Sequence, residues 1–398
     1  MAAPLARTQL SKLKSISQIP CQINRIRNQT LSLNRLCQRS IFTSFVRPKT
    51  ATKWKIGAGV AFVSSVFATK FITKSDAASE ERPVSRHVKG ILDIGDQKFT
   101  LYQFQSCPYC CKVRATLDFF GFPYDVVEVN SITKSQIKFS DYKKVPILVV
   151  DGNDGENDFT LQFSDSSVIM SVLASYVYDQ TTTLQTIQTY YPGMKEKRGR
   201  KTVWDFPNKY FLMYGDNIAD SRSEKERSSE RQWRKWVDDI LMHTISPNVY
   251  RTLGESLEAF RHFSDWGEWD KHFSTPTRLF VVYVGTLAMY IIGRVVKKRY
   301  NIKDNPRESL YEACDAWMAE LGDQSFLGGT KPNMADLSVY GALHSFNGCE
   351  AFNDLMSFHA IRGWYDNIEA IINTHEGASQ LGQKPAHHPN YIGYPHCN

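Results

Sequence analysis

The sequence predicts an α/β domain followed by an all-α domain, with a basic segment and a membrane anchor ahead of both. Three observations carry this. Short apolar runs between Lys98 and Val177 alternate with helical periodicity in the order β-α-β-α-β-β-α. From Ser223 onward the apolar residues recur at helical spacing. Thirteen of the 48 lysines and arginines, and none of the 41 acids, fall within residues 1–75.

That charge asymmetry explains the formal net charge of +7. Without its first 75 residues the chain is acidic on balance, so its basic character is no argument for nucleic-acid binding. Hydrophobic residues make up 42% and charged residues 22%, enough for two ordinary cores in 398 residues. Eight cysteines in a chain this long do not form a secreted disulfide framework. Residues 1–54 have the Arg- and Ser-rich, acid-free composition of a mitochondrial targeting leader. Residues 55–74 ("KIGAGVAFVSSVFATKFITK") read as a single membrane anchor: Ile56 to Thr69 is apolar or small, and Phe71 to Thr73 extends it past Lys70, which can snorkel. Residues 75–96 read as a flexible tether.

The first folded unit spans 97–180. "KFTLYQF" alternates as a strand does. "CPYCCKVRATLDFFGF" is helical, with Val113, Leu117 and Phe120 on one stripe and Gly121 as the stop. "YDVVEV" is a second strand and "ITKSQIKFSDY" a short helix or turn. "VPILVV" and "FTLQF" are strands, and "DSSVIMSVLASYV" is a helix opened by Asp165 or Ser164. A CxxC motif at the first strand-to-helix turn of such a unit points to a thioredoxin-like fold. Pro146 stands at the start of a strand that should be central, where it cannot donate to a ladder. A cis Val145–Pro146 bond accounts for it and sets the Val145 backbone beside the cysteine-bearing helix. Asp165 and Ser166 open a helix whose first amides can cap or bind a carboxylate.

Cys107 precedes the helix, and Pro108 suits its first position. The positive end of the helix stabilises a thiolate there. Cys110, one turn in, is placed to resolve a mixed disulfide, whereas Cys111 points about 100° away, toward the core. No second ligand pair supports a zinc site, and Cys111 stands where c-type haem attachment needs histidine. A reversible Cys107–Cys110 disulfide stays open. The metal expectation is none.

Residues 181–220 read as an irregular connecting segment, and 221–376 as a helical domain. Ser223 with Glu226, and Asn333 with Asp336, are reciprocal caps. Trp233, Trp236, Val237, Ile240 and Leu241 mark an apolar face. Leu279 to Gly293 is apolar all round and about fifteen residues long, short for a span, which predicts a buried central helix. Residues 377–398 read as a disordered tail.

"CPYCCKV", "VEVN", "YKKVPILV", "DSSVI", "TYYP", "WVDDILMHTISPNVYRT", "DNPRESLYEA" and "FLGGTKPNMADLSVYG" together closely resemble the membrane-associated prostaglandin E synthase 2 family, whose soluble part is similar to glutathione transferases. The resemblance runs from about Lys98 to Glu369. It implies a thioredoxin-like domain joined to a glutathione-transferase-like helical domain. It implies isomerisation of the lipid endoperoxide prostaglandin H2 to prostaglandin E2, with Cys107 as catalytic thiol. It also implies glutathione at Val145, Pro146, Asp165 and Ser166, haem held noncovalently with glutathione and diverting the endoperoxide to breakdown, a homodimer, and a Golgi membrane where the leader suggests a mitochondrial one. The chain departs from the family at Phe104, where a tyrosine is common. A glutathione-dependent thiol–disulfide oxidoreductase using Cys107 and Cys110, and a membrane-tethered haem or glutathione binder, are the competing readings.

Overall fold

The computed structural model describes residues 84–131, 133–155, 157–179, 181–199, 201–214 and 222–383. The leader (1–54), the anchor (55–74), the start of the tether and residues 384–398 lie outside the described residues.

The α/β half contains β1 (Arg86–Val88), β2 (Lys98–Gln103), α1 (Pro108–Phe120), β3 (Tyr124–Glu128), β4 (Ile147–Asn153), β5 (Asp158–Ser164) and α2 (Ser166–Tyr178). Its sheet runs β1-β3-β2-β4-β5. β2 and β3 are parallel, and the other pairs are antiparallel. α1 begins at Pro108 and stops at Gly121, whose φ of 72° lies in the left-handed region open to glycine. The Val145–Pro146 bond is cis.

Three expectations need correction here. Part of the tether is structured: β1 pairs antiparallel with β3 and covers what would be an open edge. "ITKSQIKFSDY" holds a 3₁₀ turn, Ser135–Ile137, as the short helix or turn expected there. The connecting segment contains α3 (Leu184–Thr189) and a hairpin of β6 (Met194–Arg198) with β7 (Lys201–Asp205). The tail begins late, because a 3₁₀ segment at Glu376–Gln383 packs on α1, with Gly377 against Phe119.

The helical half contains α4 (Glu224–Trp236), a π-helical turn (Val237–Leu241), α5 (Met242–Val249), α6 (Leu253–Trp266), α7 (Trp269–His272), α8 (Thr275–Arg299), α9 (Pro306–Leu321), α10 (Met334–His344), α11 (Glu350–Phe358) and α12 (Ile361–Asn373). Both predicted capping boxes are present. One hydrophobic core runs through both halves, with Leu101, Val113, Val172, Trp317 and Leu337 fully buried. α10 lies close along α1: a Cβ on Gly341 would meet the Lys112 Cα at 2.5 Å. The helix predicted to be central is longer and more exposed than expected. α8 has 25 residues, long and apolar enough to cross a membrane by length and composition, and Leu279, Phe280, Tyr283, Leu287 and Ile291 face solvent. All-round apolarity predicts burial, but among the described residues only one side of this helix has a partner.

Candidate active site

Sheet register gathers the predicted residues. β2 leads into Cys107, and Tyr102 on β2 pairs with Ile147 at the start of β4. Ile147 in turn pairs with Ser164 at the end of β5. Cys107, Val145–Pro146 and Asp165–Ser166 therefore leave the sheet at the same end. Cys110 sits one turn inside α1, fully buried.

Cys107 is the N-cap of α1, with extended backbone (φ −81°, ψ 121°), and it is partly exposed. Its thiol lies below the ordinary cysteine range. The leading cause is a hydrogen bond from the Cys110 thiol, followed by the Cys110 and Tyr109 amides and the Arg114 charge, and together these outweigh desolvation. Burial and the neighbouring Cys107 push Cys110 well above that range. Cys111 is buried and pushed up to about 11, its sulfur accepting from Arg114 at 2.9 Å and donating to the Gln105 carbonyl at 3.5 Å. Three thiols within five residues thus have three environments, and only in the first is the pKa lowered.

At the neighbouring helix start Asp165 caps α2, with Oδ1 accepting from Ser167 N at 2.9 Å and Val168 N at 3.4 Å. Its φ of 75° is unusual for a non-glycine. Its other oxygen is 3.8 Å from the Lys209 ammonium. Ser166 and Pro146 are buried and Val145 half-buried.

Beside Cys107 opens a cavity of about 400 Å³. Phe104, Cys107, Glu128 and Val129 form one wall, Tyr250, Phe260 and Phe263 another, and Phe280, Val284 and Met289 of α8 the third. Phe104 brings a ring but no hydroxyl. Glu128 is the acid in this apolar lining. Its Oε1 accepts from Gln105 N at 2.8 Å and its Oε2 from Gln103 Nε2 at 3.3 Å. Burial outweighs these bonds and the Arg114 charge, and the carboxyl is pushed up to about 7.

Sequence reasoning missed Glu128 and a second feature behind the site. Fully buried Lys112 donates to Asp238 at 2.6 Å and to Ser167 Oγ at 3.2 Å. Asp238 also accepts from Ser167 Oγ and Tyr210 OH, each at 2.9 Å. One signal for Glu128 was available, since an ionisable residue interrupts the valines of "YDVVEV".

The model of the glutathione S-transferase N-terminal domain matches residues 101–177, and that of the C-terminal domain residues 303–367. Prostaglandin E synthase 2 of Mus musculus is 44% identical over 279 residues, covering 69% of this chain and 70% of that protein. Prostaglandin E synthase 2 of Danio rerio is 41% identical over 278 residues, covering 69% of this chain and 71% of that protein. The partly exposed Cys107 at its helix start, in a glutathione-transferase fold and with relatives this similar over more than two thirds of their length, leads to one conclusion: the chain belongs to the prostaglandin E synthase 2 family.

Proposed function

We propose that the chain is a glutathione-linked prostaglandin E synthase that isomerises prostaglandin H2 to prostaglandin E2 at Cys107. The observation that carries this is a thiol of lowered pKa at a helix start, facing an apolar cavity sized for a lipid. The thiolate attacks the endoperoxide oxygen on C9, and the weak O–O bond breaks as an S–O bond forms. The oxygen on C11 leaves as an alkoxide and takes a proton to become the hydroxyl. Removal of the C9 proton forms the ketone, and the S–O electrons return to sulfur as thiolate. The sequence named no base for that last step. Glu128, lining the same cavity with a proton affinity near neutrality, fits the task.

Glutathione fits the end of the sheet. The partly exposed Asp165 carboxylate suits its ammonium, and Lys209 with the start of α2 suits its carboxylate. Haem, expected from the resemblance, finds no lysine or arginine for its propionates in the cavity lining. No step is derived through it. The alternative reading, thiol–disulfide exchange, is favoured by the Cys110 thiol hydrogen-bonded to Cys107. Membrane attachment through 55–74, in a mitochondrial or Golgi membrane, and homodimerisation complete the proposal. Carbonate extraction and sedimentation of the full chain test them.

The deciding experiment incubates the full chain with prostaglandin H2 and identifies products. Cys107→Ser is expected to lower conversion by about 10³-fold or more. Normal turnover in that variant would sink the mechanism.

A further inference from the structure

Among the described residues, α8 packs on one side only. Val281, Val282, Thr286 and Gly293 are buried toward the domain, where Ser256 Oγ donates to the Thr286 carbonyl at 2.9 Å. A Cβ on Gly293 would lie 3.3 Å from the Ser246 carbonyl. On the other side Phe280, Val284, Leu287, Ile291 and Val295 form a stripe at spacings of three and four, each about half exposed. Single exposed apolar residues are ordinary, but five in register on one helix are not.

Charge and position select what covers the stripe. Residues 275–299 hold five lysines and arginines and no acid, although the chain beyond residue 75 is acidic on balance. Arg294 and Lys298, both exposed, continue the stripe at its C-terminal end. A second copy of this helix would bring no anion to them, whereas anionic phospholipid headgroups would. The helix cannot span a bilayer while one side is held on a folded domain. It can lie in the interface with the stripe among acyl chains and the bases at headgroup level. Phe280 and Val284 belong both to the stripe and to the lining of the Cys107 cavity.

We propose that α8 is an in-plane docking surface for an anionic phospholipid leaflet, and that the Cys107 cavity opens toward that leaflet. The docking rests on the helix itself. The isomerase reading adds only its use, as the route by which an apolar substrate reaches the thiol without crossing water.

The test uses the full chain and vesicles of phosphatidylcholine with phosphatidylserine, their acyl chains brominated. Leu287→Trp places an indole on the stripe and Phe358→Trp one on an exposed site of α11, each read as the difference from wild-type emission. Bromolipid is expected to quench the added indole of Leu287→Trp at least about twofold more than that of Phe358→Trp. Adding Arg294→Gln and Lys298→Gln, or omitting phosphatidylserine, is expected to remove about half or more of that excess. An anchor at 55–74 would bring both positions to the membrane alike, so equal quenching overturns the proposal. Insensitivity to the charge changes overturns it too. An indole shielded from both bromolipid and aqueous acrylamide identifies a second copy as occupant and likewise overturns it. No substrate is present, so the outcome is independent of whether the protein isomerises an endoperoxide.

Discussion

Two largely buried carboxylates lie near α1, and their surroundings are opposite. Asp238 meets the Lys112 ammonium, Ser167 and Tyr210, and although burial pushes its carboxyl up, Lys112 holds it below the ordinary range. Arg234 extends the same seam, donating to the Ser167 carbonyl at 2.9 Å and to Ser171 Oγ at 2.8 Å. Glu128 is also buried but faces an apolar cavity, with amide donors and no ion pair at contact distance among the described residues, and its proton affinity is raised instead. A buried acid with a matched cation is a joint between domains. One held by amides beside a cavity keeps a proton that can be moved near neutral pH.

The contrast is broken most severely at the joint. Lys112→Met leaves the largely buried Asp238 without its cation and is expected to cost about 3–5 kcal/mol in urea denaturation at pH 7. Adding Asp238→Leu should recover much of the loss, since removing both charges is far cheaper than stranding one. The pH dependence has a definite sign. The folded-state pKa of Asp238 is depressed, so its contribution is present above the ordinary carboxylate value and is lost as pH falls through the folded value. The gap between wild type and Lys112→Met should therefore narrow below about pH 4.

Glu128→Gln should do the reverse, sparing the fold and injuring the chemistry. Turnover is expected to fall about 10²-fold, the usual range for loss of a positioned base. The wild-type rate should rise with pH through about 7, and this limb should vanish in the variant. Stability moves the other way. The folded pKa of Glu128 is raised, so between the ordinary glutamate value and about 7 the folded chain keeps a proton that the unfolded chain has released, and stability drops as pH rises through that window. Glu128→Gln should flatten this drop. A variant with normal turnover and an intact rising limb would assign the proton at C9 to another group.

What the sequence made legible was local. Cys107 followed by Pro108, Asp165 ahead of α2, and the Asn333–Asp336 cap each depend on a few neighbouring residues, and the structure has all three. What it hid depended on distance along the chain. Lys112 and Asp238 are 126 positions apart, and neither stands out in its own helix. The cavity draws walls from four stretches of chain. β1 is three residues long with no apolar pattern, so only the open edge of β3 explains it. α8 was misjudged because composition states how apolar a helix is and leaves unstated how many of its sides have neighbours.

The smallest expected effect separates the two readings of the thiol pair. The hydrogen bond from Cys110 is the leading cause of the lowered Cys107 pKa. Removing the donor with Cys110→Ala withdraws about 1.4 kcal/mol from the thiolate, a modest value for a bond to a charged group. Below its pKa the thiolate fraction then falls about tenfold, and alkylation of Cys107 by iodoacetamide slows to match. Cys110→Ser restores an O–H donor and should recover most of that rate. Isomerisation needs the Cys107 thiolate and no second sulfur, so its turnover should track alkylation, lowered in Cys110→Ala and near normal in Cys110→Ser. Reduction of a protein disulfide through the pair needs the second sulfur and should fail in both. If prostaglandin formation is lost equally in Cys110→Ala and Cys110→Ser, the second sulfur takes part in the covalent chemistry, and Cys110 ceases to be a donor that merely tunes its neighbour.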